Sequence, residues 1–293
     1  SSGGAAGGVV SEGQGYGLLC AAGAYMSLDD SETAKKAEVA QDFYDYFKAW
    51  RQMCVLSSGC CHCQDEFYCN GGTAPCLPHW KFDNDITSPI ETGAAPDGDA
   101  DALTGMILMS FATADSKPAW WSEVSLWAFQ TCRAVHDFTF DERDGVKLLK
   151  LGACWGGWDG QGQNPSYHAP YLYHMCSDYM DAYASLYYDQ EPGDLVSQVV
   201  SEDEWKKAVK GTYEMLNANQ DPCTGLITNW FEYWRNGNHQ IGMSGSGTPP
   251  AEYGSEAARA MFRISMDLLW YPAGAENSWA NLASLDSHRF LRR

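Results

Sequence analysis

Apolar residues recur at threes and fours in seven separate stretches of this 293-residue chain, and only briefly do they alternate in twos. The stretches are Leu18 to Met26, Thr33 to Cys54, Ala100 to Thr113, Ser122 to Val135, His168 to Tyr188, Glu202 to Asn219 and Glu256 to Trp270. In the second, Ala40, Phe43, Tyr44, Phe47 and Trp50 fall on one helical face, and Asp29, Asp30 and Ser31 precede it as cap candidates. Strand-like runs are confined to Asp137 to Phe140 with Val146 to Leu151, and to Leu226 to Tyr233. Such a chain is predicted to form antiparallel helical hairpins in a bundle, a solenoid or a closed ring. It has no internal repeat of roughly 30–45 residues, which favours the closed helical barrel over the solenoid.

Hydrophobic residues make up 45% and aromatics 13% of the chain, so it buries a core over most of its length. The 12 Trp and 16 Tyr fill that core, but their faces are also the surfaces on which sugars stack. A formal net charge of -19 repels nucleic acid and anionic membranes. No apolar run reaches the roughly 18 residues of a membrane span, and the start lacks a basic-then-apolar leader, so any export signal is expected to have been removed. Eleven cysteines, five of them from Cys60 to Cys76, indicate an oxidising compartment and a secreted protein. They predict a disulfide-rich insertion at about residues 54–84 of a single domain spanning residues 1–293, with one thiol left over. A zinc knuckle of Cys60, Cys61, His62, Cys63 and Cys69 is the alternative, disfavoured because no paired C-x-x-C spacing is present. Neither a metal nor a cofactor is expected, and the chain reads as a monomer.

Four polar clusters sit immediately before helical stretches: Ser11-Glu12-Gly13-Gln14, Ala95-Pro96-Asp97-Gly98-Asp99, Asn164-Pro165-Ser166-Tyr167 and Tyr253-Gly254-Ser255-Glu256. Acids at helix starts serve as caps, yet in a ring of hairpins all four could gather at one end as a cleft lined by carboxylates and rings. The first cluster is the most unusual. Glu12 and Tyr16 stand among Gly13, Gly15 and Gly17, each glycine costing a helix roughly 0.5–1 kcal/mol relative to alanine. Another surface is therefore expected close to the backbone beside Glu12.

The block from Val10 to Leu19, then Asp97-Gly98-Asp99 opening an apolar helix, then Asn164-Pro165-Ser166-Tyr167, resembles the motifs of glycoside hydrolase family 8. Glu256 to Ile264, with Asp267 and Leu269-Trp270-Tyr271, is similar to that family's last catalytic helix. The resemblance implies an all-α (α/α)6 barrel with a small β-hairpin, and a secreted inverting enzyme that hydrolyses β-1,4-linked glucan, with xylan and chitosan as variants. By motif, Glu12 is implied as the general acid and Glu256 as the general base. Asp97 is implied to grip the sugar at the cleavage subsite, with Asp99 capping its helix. Substrate contacts are implied for Tyr16, Trp80, Asn164, Tyr167 and Tyr253, with the glycines beside Glu12 admitting the sugar ring. Arg259 would orient the base. One departure matters: many members carry Tyr-Asp where this chain has Ser255-Glu256, so the base is one methylene longer. Were Glu256 unable to serve, Glu252 is the nearest substitute, or the chain is a non-catalytic glycan-binding protein that lost its base.

Overall fold

The first helix begins at the polar block itself. In the computed structural model, which describes residues 7–57, 77–153, 163–187, 195–221, 225–233, 239–241 and 253–272, α1 spans Ser11–Ser27, seven residues earlier than the apolar pattern predicts. It is followed by α2 (Thr33–Leu56), α3 (Pro96–Ala112), α4 (Trp121–Thr139), α5 (Pro170–Tyr187), the single turn α6 (Leu195–Gln198), α7 (Glu202–Asn219) and α8 (Ser255–Trp270). The cysteines from Cys60 to Cys76, and with them the predicted insertion and its zinc alternative, lie outside the described residues, as does Glu252. The chain divides into two compact units, residues 1–138 with 178–199 and residues 139–177 with 200–293. The first half of α5 thus belongs to the second unit and its second half to the first.

The first unit is built around α3. Pro96 starts it with its φ already set for a helix, and nearly every side chain from Pro96 to Ser110 is buried, so this helix is covered on all sides. The helix α2 shows the amphipathic alternative. Phe43, Phe47 and Trp50 are fully buried on one face, each contributing roughly 1.5–3 kcal/mol, while Lys35, Glu38 and Asp42 face water. Phe47 meets Trp127 of α4 edge to face at 5.8 Å. Glu32 stands at the N-cap of α2 without a side-chain cap bond, and the Asp29 N–H donates to its Oε2. None of Asp29, Asp30 and Ser31 is therefore the cap residue.

Three strands were not legible as periodicity because each is too short to show one. β1 (Val9–Val10), β2 (Lys81–Phe82) and β3 (Pro89–Glu91) form an antiparallel sheet in that order, just ahead of α1. In the second unit β4 (Phe140–Arg143) and β5 (Val146–Leu149) form a hairpin whose two turn residues, Asp144 and Gly145, both have positive φ, the requirement of a type I′ turn. All four residues of β5 are buried, and its backbone runs so close to α7 at Gly211 that a Cβ there would overlap the Lys147 carbonyl. Lys147 ends in an ion pair with Glu204 at 2.8 Å, and Lys207 joins Glu142 to Glu204. The two lysines pull the Glu204 carboxyl down to about 2. The last pair, β6 (Phe231–Tyr233) with β7 (His239–Ile241), is antiparallel, and β6 falls at the end of the run read as strand-like.

Candidate active site

Within the first unit, three sequence-remote blocks meet at the start of α1. The Ser11 N–H donates to the Trp80 carbonyl at 2.8 Å, extending the β1–β2 contact into the helix. Gly98 is pressed so closely against the same place that a Cβ on it would stand 2.7 Å from the Glu12 nitrogen and from Ser11 Oγ. Glu12 and the Asp97-Gly98-Asp99 segment, 85 residues apart, are therefore neighbours. Below them α1 and α3 cross at backbone distance: a Cβ at Gly15 would lie 2.6 Å from the Gly98 carbonyl, and one at Gly105 2.6 Å from the Leu18 carbonyl carbon. The ring of Tyr46 takes the space beside Gly17 in the same way. The surface that approaches the glycine-rich block at Gly15 and Gly17 is thus α3 and Tyr46, so there the spacing serves helix packing and not the sugar ring that the family resemblance implies.

Glu12 is half-buried in the first turn of α1, and Tyr16, one turn on, donates its hydroxyl to Glu12 Oε1 at 3.1 Å. Tyr16 itself is exposed. Trp80 is half-buried, with the Lys81 ammonium 5.3 Å from the centre of its ring. Asp97 is buried and its Oδ1 accepts from the Gly98 N–H at 2.9 Å. Asp99 corrects an expectation. It lies inside α3 rather than capping it, is 1% exposed, and neither carboxyl oxygen has a hydrogen-bond partner. Burial, and then the negative Asp97 beside it, push its carboxyl well above the usual carboxylate range.

In the second unit the other five predicted residues collect where α8 meets the 3₁₀ turn Pro165–Tyr167. Asn164 caps that turn, its Oδ1 accepting from the Ser166 N–H at 2.9 Å. Its amide donates to Glu256 Oε2 at 2.8 Å, so the turn and the first turn of α8 are joined by one side chain. Ser166 Oγ lies 2.7 Å from the same oxygen, and Arg259 Nη2 donates to it at 2.5 Å. Burial, and then the neighbouring Arg263, pull the Arg259 guanidinium below its usual value. Tyr167 is half-buried with its ring edge-on to Trp230 at 6.1 Å, and Tyr253 is exposed just before α8.

Two residues to which the sequence assigns no role complete this group. Asn229 accepts from the Ala257 N–H at 3.0 Å and so caps α8 from a distant loop, against Gly254, where a Cβ would overlap its amide. Arg263, 2% exposed, donates to the Ser166 carbonyl at 3.2 Å and to the Tyr171 hydroxyl at 2.9 Å, which satisfies a charge that would otherwise be costly to bury. His168 follows the turn and is wholly buried between Gln163 Oε1 (2.9 Å) and Thr212 Oγ1 (3.1 Å). Gln163 Oε1 can only accept, so Nε2 carries the proton and Thr212 donates to Nδ1. Burial pulls the imidazole down to about 3, which keeps it neutral and makes it an anchor for the turn. Among the described residues, no group of three or more His, Cys, Asp or Glu side chains could hold a metal ion, and no helix is long and apolar enough to cross a membrane.

No protein-family model matches the chain. Endoglucanase A of Acetivibrio thermocellus is similar to it at 26% identity over 283 residues, covering 93% of this chain and 44% of its own. Among solved structures, a reducing-end xylose-releasing exo-oligoxylanase matches with a TM-score of 0.59 at 17% identity, over 97% of this chain and 61% of that one. Rex8A from Paenibacillus barcinonensis, complexed with xylose, matches with a TM-score of 0.63 at 17% identity, over 97% of this chain and 62% of that one. Together they support an assignment to glycoside hydrolase family 8. The fold is that of these family 8 structures, predominantly α-helical with small antiparallel sheets. The chain spans less than half of the endoglucanase and about three fifths of each of these two solved relatives.

Proposed function

We propose that the chain is a glycoside hydrolase that cleaves β-1,4-linked glucan within the polymer, by one displacement that inverts the anomeric carbon. Glu12 is the general acid that protonates the departing glycosidic oxygen, and Glu256 is the general base that takes a proton from the attacking water. Asp97 holds the sugar at the bond to be cleaved. Tyr16, Trp80, Asn164, Tyr167 and Tyr253 supply ring faces and polar groups for the substrate, and the acidic, cysteine-rich composition fits a secreted protein.

The observation that carries this reading is the state of Glu256. Three donors converge on its Oε2, while its Oε1 accepts from none among the described residues. Three donors on one oxygen hold the carboxyl group in place, and the open oxygen is what a base presents to water. The sequence relationship to an endoglucanase supports glucan as the polymer. Xylan is the second reading, favoured by the xylose-releasing enzymes among the matched structures.

One set of measurements tests the assignment. Glu12→Gln should abolish turnover of unactivated glucan while oligosaccharide binding stays within a fewfold, because an amide has no proton to give. Glu256→Ala should be inactive and recover part of its turnover in azide, with the azide adduct inverted relative to substrate. A product of retained configuration, read by NMR on glucan, xylan and chitosan, would make Glu256 a nucleophile and end the inverting assignment.

A further inference from the structure

Glu256 is one methylene longer than the aspartate that the family resemblance leads one to expect, and a longer side chain has an extra torsion to fix before it can work as a base. We propose that Ser166 is a positioning residue for Glu256: with Asn164 and Arg259 it pins Oε2, folds the longer side chain back, and leaves Oε1 free for the water. The proposal rests on the reading of Glu256 as the general base.

The geometry around Ser166 is that of a fixed donor. The residue is fully buried, its N–H is bound by Asn164 Oδ1 at 2.9 Å, and its carbonyl accepts from Arg263 Nε at 3.2 Å. Arg263 is itself held by the Tyr171 hydroxyl. With both backbone groups tied, only the side-chain torsions are left to set the hydroxyl, and two acceptors lie within reach: Asn164 Oδ1 at 2.8 Å and Glu256 Oε2 at 2.7 Å. A hydroxyl has a single proton. A carboxylate is the stronger acceptor, so the proton goes to Glu256. Asn164 reaches Glu256 through its amide from the same rigid turn, and Arg259 reaches it from one turn along α8. Two of the three pins therefore come from outside the helix that carries the carboxylate. An aspartate at position 256 would be about 1.5 Å shorter and would have to meet the same donors from further away.

The test is a set of full-chain variants assayed on whichever of soluble β-glucan, xylan or chitosan the wild type cleaves. Ser166→Ala should lower kcat by roughly ten- to a hundredfold, the size of one hydrogen bond to a charged group, with KM within about twofold. Ser166→Thr, which keeps the hydroxyl, should recover kcat to within a fewfold of wild type. Glu256→Asp should lose activity although it restores the family residue. Thermal midpoints measured on each variant separate a misfolded protein from a mispositioned base. Wild-type kcat in a folded Ser166→Ala, no recovery in a folded Ser166→Thr, or full activity in Glu256→Asp would each overturn the pinning while leaving Glu256 as base. An active Glu256→Ala, or a wild type that cleaves none of the three polymers, would instead remove the base assignment and the pinning with it.

Discussion

At the scale of single residues, the most exposed wager is Asp99, because a carboxyl with no hydrogen-bond partner, at 1% exposure, is a cost the fold carries. Its folded form holds the proton well above the usual range, whereas the unfolded chain releases it near pH 4. For an acid shifted upward the penalty is absent below about pH 4 and grows as pH rises, at no more than about 1.4 kcal/mol per pH unit, until the folded acid ionises too. Asp99→Asn keeps the shape and cannot ionise. Urea unfolding should therefore find it as stable as wild type near pH 4 and more stable at pH 7 to 8. A variant less stable than wild type across that range would mean that Asp99 has a partner which the amide cannot serve. The motif pattern marked Asp99, Asp97, Asn164, Glu256 and Arg259, because each is a polar group at a recognisable break before or within a helical period. Ser166 lay inside a marked cluster without being singled out, and Asn229 was missed altogether. Their roles arise from contacts with α8, 90 and 28 residues away in sequence, which no local spacing encodes.

At the scale of elements, α1 and α3 show how a sequence signal can be read correctly and explained wrongly. The glycines of the first block do mark a close approach, but at Gly15 the approaching surface is the backbone of α3, and Gly98 and Gly105 answer it from the other side. Helix pairs that meet backbone to backbone have no side-chain layer to give way. Gly105→Ala, placed deep in the crossing, would gain up to about 1 kcal/mol of helix propensity and set a methyl 2.6 to 2.7 Å from Leu18 and Leu19 main-chain atoms. Overpacking of that kind costs about 1–3 kcal/mol, so the net change should be a lower urea midpoint. An unchanged or higher midpoint would mean that the two helices can part without loss. Helix boundaries in regular stretches were legible in sequence: α7 spans Glu202–Asn219 as its period predicts. The three-stranded sheet was not, since strands of two and three residues offer fewer positions than a period needs.

At the scale of the whole molecule, the order of motifs from residue 10 to 271 made the fold family legible, whereas the glucan of the proposed function, as against xylan or chitosan, depends on the shape of a binding surface that motif order does not carry. Net charge offers a physical handle on that choice. Glucan and xylan backbones are neutral, so a chain of net charge -19 neither attracts nor repels them at long range. Protonated chitosan oligomers are polycations and would be drawn in strongly at low salt. The screening length falls from about 30 Å at 0.01 M to about 10 Å at 0.1 M, so long-range attraction should largely vanish over that interval. A chain acting on glucan should show a KM for cello-oligosaccharides that is flat between 0.01 and 0.5 M NaCl. The KM for chitosan oligomers, if they are cleaved at all, should rise severalfold over the same range, measured slightly below neutral pH to keep the amines charged. A rising KM with the neutral oligomers would place the salt effect in the protein itself, and charge would then say nothing about the substrate.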